Sequence, residues 1–387
     1  DLHYPLRRQR QMCIRDRVNG EIYNHGTLRA RLTGHRFATG SDSESVLHLA
    51  EEGIGSLTQM EGQFAFALWD GGRLVLGRDP VGIKPLFYYP VGDRLYFSSE
   101  MKAILAVMES RSVSRAGLDL YLGLRYVPAP LTILDGVYQL APGHVLRWEA
   151  GDYDVQRLMS IWEPAKNGPA LDRALEDSVH DRLMGERPVG VYLSGGLDSS
   201  LIAALAWAHG DMLRGYCARL EVERDLDPGA SGPDTPYEHT ESDESPYARE
   251  MAESLGMELV EVPITDGVFG RWPDAVRAMD VPVADAAGLA TLEISRRARR
   301  DITVALTGEG ADELFAGYGY YRSLLREGGS GRGLCGRTLE RLGIADPYPS
   351  DLYREVHVFH RRRARRRVEQ AYKEMVPSLG RVGALLG

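Results

Sequence analysis

The sequence has few cysteines and few lysines. Its three cysteines, Cys13, Cys217 and Cys335, form neither a plausible disulfide framework nor a zinc-ligand spacing. We therefore expect a reducing, cytoplasmic setting. Only four of the 46 basic residues are lysines, an arginine bias that carries little information about function.

Long apolar runs and a basic excess are also absent. No run of about 18 apolar residues occurs, so we expect no membrane span. The net charge of -9 argues against a general nucleic-acid binder, which is normally basic. The remaining composition, 43% hydrophobic and 26% charged, is that of a globular protein, and 387 residues suffice for two domains.

The chain divides into three stretches. Residues 1–17 carry five arginines and no hydrophobic period, which indicates either a disordered tail or an artefact joined to a chain that begins earlier. From Val18 to residue 161, short alternating strands punctuated by turn residues predict a sheet-rich domain with a few helices. From Trp162 to residue 387, alternating helices and strands predict a parallel sheet covered on both faces. The expected fold class is α/β and α+β in two domains.

A glycine-rich loop follows the buried strand predicted at 188–193. Residues 194–200 read SGGLDSS and lead into an apolar helix. Glycines allow close approach to phosphate oxygens, and the start of a helix favours an anion. Asp198 would repel phosphate unless a magnesium ion bridged the two. The alternative without a binding function is an ordinary strand–turn–helix with Ser and Asp as caps. The absence of a Walker A lysine favours a pyrophosphate leaving group.

A second acidic loop follows the strand predicted at 301–306. Residues 307–313 read TGEGADE. Asp312 offers a second carboxylate to magnesium, and Glu309 offers a base. A glycine turn before an acidic helical turn is the alternative. Because ligands bind at the carboxyl ends of parallel strands, two such loops together favour a site.

The motifs LSGGLDSS and LTGEGADELFAGYGYY resemble the synthetase domain of glutamine-hydrolysing asparagine synthetases. The likeness extends from Val18 to about Phe359 and implies a parallel-sheet PP-loop domain. It implies that aspartate attacks the α-phosphate of ATP, giving an acyl-adenylate and pyrophosphate before ammonia displaces AMP. It assigns magnesium to Asp198 and Asp312, and places Glu309 near the acyl centre. It assigns ATP binding to Leu193, Ser194, Gly195, Gly196, Asp198, Ser199, Ser200, Ala218, Thr307 and Gly308.

The segment Val18–His25 contains Asn19-Gly20, the strongest short hairpin signal. A functional interpretation makes Asn19 and Gly20 an oxyanion hole for amide hydrolysis. Residues 41–44 read SDSE, a pattern typical of a helix cap with its capping box; alternatively, they present Asp42 to the α-amino group of a bound amino acid. With RDPVGIKPLFYY, these residues resemble the glutaminase domain of the same family, a partial N-terminal-nucleophile sandwich. Glutamine binding is thereby assigned to Asn19, Gly20, Glu21 and Asp42.

The sequence departs from the family at both ends. The family's nucleophilic cysteine and its strand would lie before Val18, and Cys13 is too close to Asn19 to replace them. We therefore expect no glutaminase activity from the chain as written. The family's late lysine has no counterpart after Phe359, because the setting of Lys373 does not match, so synthetase activity is expected to be slow or absent.

Three functions stay open at this point. The first is amidation of aspartate with glutamine- or ammonia-derived nitrogen. The second is adenylation of another carboxylate, as in β-lactam formation. The third is a catalytically silent nucleotide-binding chain. The expected partners are ATP and these substrates, with no nucleic acid or membrane, and a homodimer is left open.

Overall fold

The protein is seen in a computed structural model that describes residues 14–160, 168–185, 187–209, 213–221, 243–285, 287–315 and 317. These residues form two compact units. The first comprises residues 14–160 with 280–284, and the second comprises the described residues of 168–279 and 285–317. The boundary predicted at residues 161 and 162 lies outside the described residues.

The first unit consists of strands with short helices between them. Five strands form an antiparallel sheet in the order β1-β2-β3-β7-β8, and β5-β4-β6 form a smaller antiparallel sheet. This confirms the predicted sheet-rich first part. In chain order the elements are β1 (Ile14–Ile22), α1 (His25–Arg31), α2 (Glu44–Glu52), a 3₁₀ helix (Ile54–Gln59), β2 (Gly62–Asp70), β3 (Arg73–Arg78), β4 (Phe87–Val91), β5 (Arg94–Ser98), α3 (Met101–Leu105), α4 (Arg115–Leu124), β6 (Tyr138–Gln139), β7 (His144–Glu149) and β8 (Asp152–Arg157).

Strand β2 separates two hydrophobic layers. Phe64 and Phe66 pack into one cluster with α2, whereas Ala65 and Ala67 face a second cluster on the opposite side of the sheet. This is the two-residue alternation expected of a strand buried on both faces. Gly77 of β3 lies under the Phe66 ring, which would be 2.1 Å from an added Cβ, so the larger side chain requires the smaller partner.

Strand β1 corrects two predictions. It begins at Ile14, so the last four residues of the stretch 1–17, for which a disordered tail or an artefact was expected, belong to the sheet. The hairpin interpretation of Asn19-Gly20 is wrong, because both residues lie inside β1, opposite Ala65 and Phe64. Gly20 has a φ of 137°, and an added Cβ would lie 1.9 Å from the Gln63 carbonyl oxygen. Only glycine fits this position.

The segment after β3 is held by a buried carboxylate. Asp79 is fully buried and accepts hydrogen bonds from the backbone N–H groups of Val81, Gly82, Ile83 and Lys84, at 2.6 to 3.1 Å. Four converging donors satisfy a charge that would otherwise be costly to bury. The RDPVGIKP motif therefore has a structural role in the first unit.

The second unit is a parallel α/β sheet. Its four strands have the order β11-β10-β9-β12 and all pair in parallel, which confirms the prediction for this part of the chain. The chain moves outward from β9 in one direction and then returns to place β12 on the other side. In chain order the elements are α5 (Leu171–Arg182), β9 (Val189–Tyr192), α6 (Leu197–Ala208), β10 (Arg214–Leu220), α7 (Ser245–Leu255), β11 (Glu258–Ile264), a 3₁₀ helix (Asp266–Arg271), α8 (Trp272–Met279), α9 (Ala287–Ala298), β12 (Val304–Leu306) and α10 (Ala311–Phe315).

One helix of the second unit is shorter than its sequence pattern predicts. The sequence pattern of residues 266–279 predicts a single helix, but a 3₁₀ turn fills 266–271 and the α-helix starts at Trp272. Pro273 explains the break, because proline is accommodated only in the first turn of a helix. Within the described residues, no helix is both long and apolar enough to cross a membrane.

Candidate active site

The loop after β9 turns sharply into α6 and is held by its own serines. The Ser194 N–H donates to Ser199 Oγ at 3.2 Å, and the two hydroxyl oxygens are 3.0 Å apart. The Gly196 N–H donates to Ser194 Oγ at 3.2 Å. Gly196 is the N-cap residue of α6 and has no side chain with which to cap the first turn. The backbone N–H groups at the start of α6 are therefore not capped by the N-cap side chain, an arrangement that suits an anion.

Two glycines allow the surrounding elements to approach this loop. Gly195 has a φ of 82°, and an added Cβ would lie 2.4 Å from Cβ of Tyr247 in α7. Gly308 follows β12, and its added Cβ would lie 2.9 Å from Ser199 N and 3.0 Å from Asp198 Cβ. The loops after β9 and β12 therefore meet at the carboxyl ends of neighbouring strands. This is the topological switch point of the sheet, where open α/β sheets bind ligands.

A cavity of about 550 Å³ opens between these loops. Its size suits a nucleotide-sized ligand. The strands supply its floor, and α9 supplies one wall. The two loops, together with Glu244 before α7, supply the acidic rim. The residues lining it are Tyr192, Leu193, Ser194, Asp198, Ser199, Tyr216, Cys217, Ala218, Leu220, Glu244, Thr291, Ile294, Thr307, Gly308, Glu309, Gly310, Asp312 and Glu313.

Most of the residues predicted for the synthetase site line this one cavity. They are Leu193, Ser194, Asp198, Ser199, Ala218, Thr307, Gly308, Glu309 and Asp312. Three predicted ATP-binding residues do not line it. Gly195 packs against α7, Gly196 begins α6, and the Ser200 N–H donates to the Gly196 carbonyl. These three shape the loop around the cavity, and their direct contact with a nucleotide stays a prediction.

Several lining residues were not predicted from the sequence. Tyr192 and Tyr216 lie on the floor, and Thr291 and Ile294 lie on one face of α9. The three-residue spacing of Thr291 and Ile294 indicates a shared helix face. Which face meets the cavity depends on how α9 packs on the sheet, and the sequence alone does not give that.

The floor of the cavity is chemically inert. The Tyr216 hydroxyl donates to Asp301 Oδ2 at 3.0 Å, and burial together with this hydrogen bond raises the pKa of Tyr216. Burial, together with the nearby carboxylates of Glu261 and Asp243, raises the pKa of the Cys217 thiol to about 11. Cys217 is therefore a protonated, weakly nucleophilic residue of the cavity floor.

The rim of the cavity is strongly acidic. Five carboxylates line it, from Asp198, Glu244, Glu309, Asp312 and Glu313. Among the described lining residues there is no lysine or arginine. The carboxylates of Asp198 and Asp312 have no hydrogen bond or ion pair with any described residue. Oxygen ligands without a basic partner fit Mg²⁺, which binds through one or two carboxylates and the phosphates of its substrate.

The residues predicted to bind glutamine lie in the first unit. Asn19, Gly20 and Glu21 lie in the second half of β1, and the Ile22 N–H at its end donates to Asp42 Oδ2 at 2.8 Å. This bond fixes the Asp42 loop beside the end of β1. The positions agree with the predicted grouping, although the role of each residue stays a prediction.

The capping-box interpretation of residues 41–44 is wrong. Ser43 precedes α2, but its side chain does not cap the helix. The Glu44 carboxylate instead accepts from the backbone N–H groups of Ala38 and Thr39, at 2.6 and 2.8 Å. It therefore holds the preceding loop.

Fold and site together define an α/β unit with an acidic cavity at its switch point, which follows a unit of antiparallel sheets. The chain belongs to the asparagine synthase family. The family model described as asparagine synthase matches residues 170–380, and a glutamine amidotransferase domain model matches residues 3–159.

Similar curated proteins include asparagine synthetases and one amidase. Asparagine synthetase [glutamine-hydrolyzing] 1 of Bacillus subtilis is 33% identical over 79% of this chain and 48% of its own length. A putative asparagine synthetase of Mycobacterium bovis is 36% identical over 79% of this chain and 48% of its own length. Amidase chyE of Penicillium rubens is 32% identical over 79% of this chain and 47% of its own length. The chain spans about half the length of these relatives. A cytoplasmic setting and a homodimer stay predictions.

Proposed function

We propose that this chain carries the adenylating half of an ATP-dependent, amide-forming ligase. The observation that carries the proposal is the shared cavity, in which two acidic glycine-rich loops meet at the switch point of a parallel sheet. Membership of the asparagine synthase family supports this chemistry. The reaction is attack of a substrate carboxylate on the α-phosphate of ATP, release of pyrophosphate, and displacement of AMP by ammonia.

Each part of the cavity has a function in this scheme. The N–H groups that begin α6 bind the leaving pyrophosphate, because the positive end of a helix stabilises anions. Leu193 and Ala218 supply an apolar surface for the adenine ring. Thr307 and Gly308 place the nucleotide against the second loop, and Glu309 lies on the rim, where it can hold a proton of the incoming ammonia.

Asp198 and Asp312 would hold Mg²⁺ in this site. The bound ion would neutralise phosphate charge that develops during adenylation. Without a cation, the five rim carboxylates would repel a triphosphate.

Aspartate is the proposed acceptor, because the similar proteins of Bacillus subtilis and Mycobacterium bovis are named as asparagine synthetases. A second acceptor class has its own support. A relative named as an amidase matches the chain over a similar span and with similar identity. Adenylation of a different carboxylate is therefore the second candidate function.

For the first unit we propose a glutamine-binding role. The support is the hydrogen bond between Ile22 and Asp42, which brings the Asp42 carboxylate to the strand that carries Asn19, Gly20 and Glu21. Asp42 would bind the α-amino group of glutamine, and the Asn19 side chain would stabilise an oxyanion.

The test is pyrophosphate release from ATP by the full chain in magnesium and ammonium chloride. A panel of acids, led by aspartate, is compared with a reaction lacking any acid. Aspartate-dependent release would support the first candidate, and release with another acid alone would support the second. ATP binding without release for any acid would refute the proposed adenylation. Using ammonium makes the result independent of the first unit.

A further inference from the structure

A cluster of two histidines and a glutamate lies in the first unit, apart from the residues assigned to glutamine. His35 belongs to the turn after α1, whereas His48 and Glu51 lie one turn apart on α2. His35 Nδ1 and His48 Nδ1 both approach Glu51 Oε2, at 2.9 and 3.1 Å. One ligand atom from each residue lies within 4.8 Å of the others.

The spacing of these atoms suits a small transition-metal ion. Zinc binds histidine nitrogen and carboxylate oxygen at about 2.0 to 2.2 Å, so neighbouring ligand atoms of a tetrahedral site are about 3.3 Å apart. The two distances to Glu51 Oε2 are within a few tenths of an ångström of this value. A small movement of the side chains would therefore accommodate an ion.

A second observation is that the cluster leaves a buried carboxylate oxygen without a partner. The Glu51 side chain is nine-tenths buried, and its Oε1 has no hydrogen-bond donor. An unpaired carboxylate oxygen in an apolar setting is costly. A metal ion would use this carboxylate and remove the cost.

Each histidine also has a carboxylate near its other ring nitrogen, although His48 Nε2 forms no hydrogen bond. His35 Nε2 lies 3.5 Å from Glu52 Oε1, and His48 Nε2 lies 3.5 Å from Glu44 Oε1. When histidine binds a metal through one ring nitrogen, the other commonly faces a carboxylate, which fixes the tautomer. The cluster has this arrangement on both rings.

The local charge also favours a cation. Three carboxylates, from Glu44, Glu51 and Glu52, surround two imidazoles. Within the described residues, the ion pairs of these carboxylates involve only histidines and no lysine or arginine. The cluster therefore brings three carboxylates together without a lysine or arginine among the described residues.

We propose that His35, His48 and Glu51 bind a divalent transition-metal ion of the zinc class, with water at the open position. Nitrogen and oxygen ligands favour zinc, cobalt or nickel over magnesium or calcium. The ion joins the turn that follows α1 to helix α2, which begins two residues after Asp42. It is a structural ion that stabilises the first unit, and it is distinct from the magnesium proposed in the second unit.

The test uses the full chain in millimolar magnesium, which occupies hard oxygen sites. Zinc affinity is measured by competition with a chromophoric chelator, and Co²⁺ absorption reports the coordination geometry. We expect one zinc per chain and the visible bands of four-coordinate cobalt. His35→Gln and Glu51→Gln should each weaken zinc binding at least tenfold and abolish those bands.

The control is His180→Gln. His180 and His209 form another close imidazole pair, with ring centroids 4.8 Å apart, but among the described residues no carboxylate completes a cluster around them. Circular dichroism establishes that each variant is folded, and Glu51→Gln keeps the volume of the glutamate. Equal zinc affinity in wild type, His35→Gln and Glu51→Gln would overturn the proposal, as would no zinc binding by wild type. The cluster would then be a hydrogen-bonded triad.

Discussion

Two adjacent glycines in the loop after β9 have different structural requirements. Gly195 has a φ of 82°, and Gly196 has a φ of -67°, which any residue adopts. An added Cβ at Gly195 would overlap Tyr247 and the Ala248 nitrogen, at 2.4 and 2.5 Å. The same atom at Gly196 would meet only Ser194 Oγ, at 3.3 Å. Alanine should therefore be disruptive at the first position and tolerated at the second.

The magnitude follows from two contributions. A left-handed conformation costs a non-glycine residue about 1 to 2 kcal/mol. Overlap with the backbone of α7 adds about 1 to 3 kcal/mol, because a packed helix cannot move freely. Gly195→Ala should thus destabilise the second unit by about 2 to 5 kcal/mol. For Gly196→Ala, the loss of a favourable N-cap glycine and the reduced entropy of the unfolded chain nearly cancel, so the change should stay within about 1 kcal/mol.

Urea unfolding of the full chain, followed by circular dichroism, measures this difference. ATP affinity in magnesium is measured on the folded fraction of each variant. Gly195→Ala should also bind ATP at least tenfold more weakly, because the displaced loop no longer presents the start of α6. Equal stability of the two variants would refute the steric argument. Unchanged ATP affinity in a destabilised Gly195→Ala would refute the assignment of this loop to the nucleotide.

Three further predictions concern carboxylates. Asp198→Asn and Asp312→Asn should each weaken magnesium-dependent ATP binding at least tenfold and should not weaken magnesium-free binding, because each removes a carboxylate that repels the triphosphate; calorimetry with and without magnesium would check this. Asp79→Ala should cost at least about 3 kcal/mol in urea unfolding because four backbone N–H groups lose their buried acceptor, and Asp79→Asn should cost less. Burial opposes ionisation of Glu44, but hydrogen bonds from Ala38 and Thr39 outweigh it and hold its pKa below the usual 4.5. Its stabilisation is therefore complete above pH 4.5 and is lost as the pH falls through the lowered pKa, so Glu44→Gln should reduce the acid sensitivity seen in thermal unfolding of the first unit.

The strands that carry the site were predictable because their local patterns were unambiguous. The strand predicted at 188–193 forms β9 over Val189–Tyr192. The loops at 194–200 and 307–313 combine glycines with carboxylates directly after buried strands, so their meeting at one edge follows from parallel topology. The sequence therefore indicated most of the cavity rim.

The remaining parts depend on contacts that the local sequence pattern does not show. Glu44 fits the sequence pattern of a capping box. Its carboxylate nevertheless accepts hydrogen bonds from the backbone N–H groups of Ala38 and Thr39 in the preceding loop. Asn19-Gly20 fits the pattern of a hairpin turn, yet pairing with β2 extends the strand through both residues. In each case a contact outside the sequence pattern outweighs the local preference of the residues in it.

The contact between Gly308 and the start of α6 explains why the two loops act as one site. The missing side chain of Gly308 lets the second loop approach Ser199 N to a distance at which an added Cβ would be 2.9 Å away. The same approach brings Asp312 and Glu309 to the cavity that Asp198 lines. A metal ligated by Asp198 alone would be held by one carboxylate, whereas this approach supplies a second. Because the proposed metal ligands and the proposed base both depend on this contact, we expect a sub-ångström shift there to weaken the proposed binding of magnesium, nucleotide and acyl acceptor together.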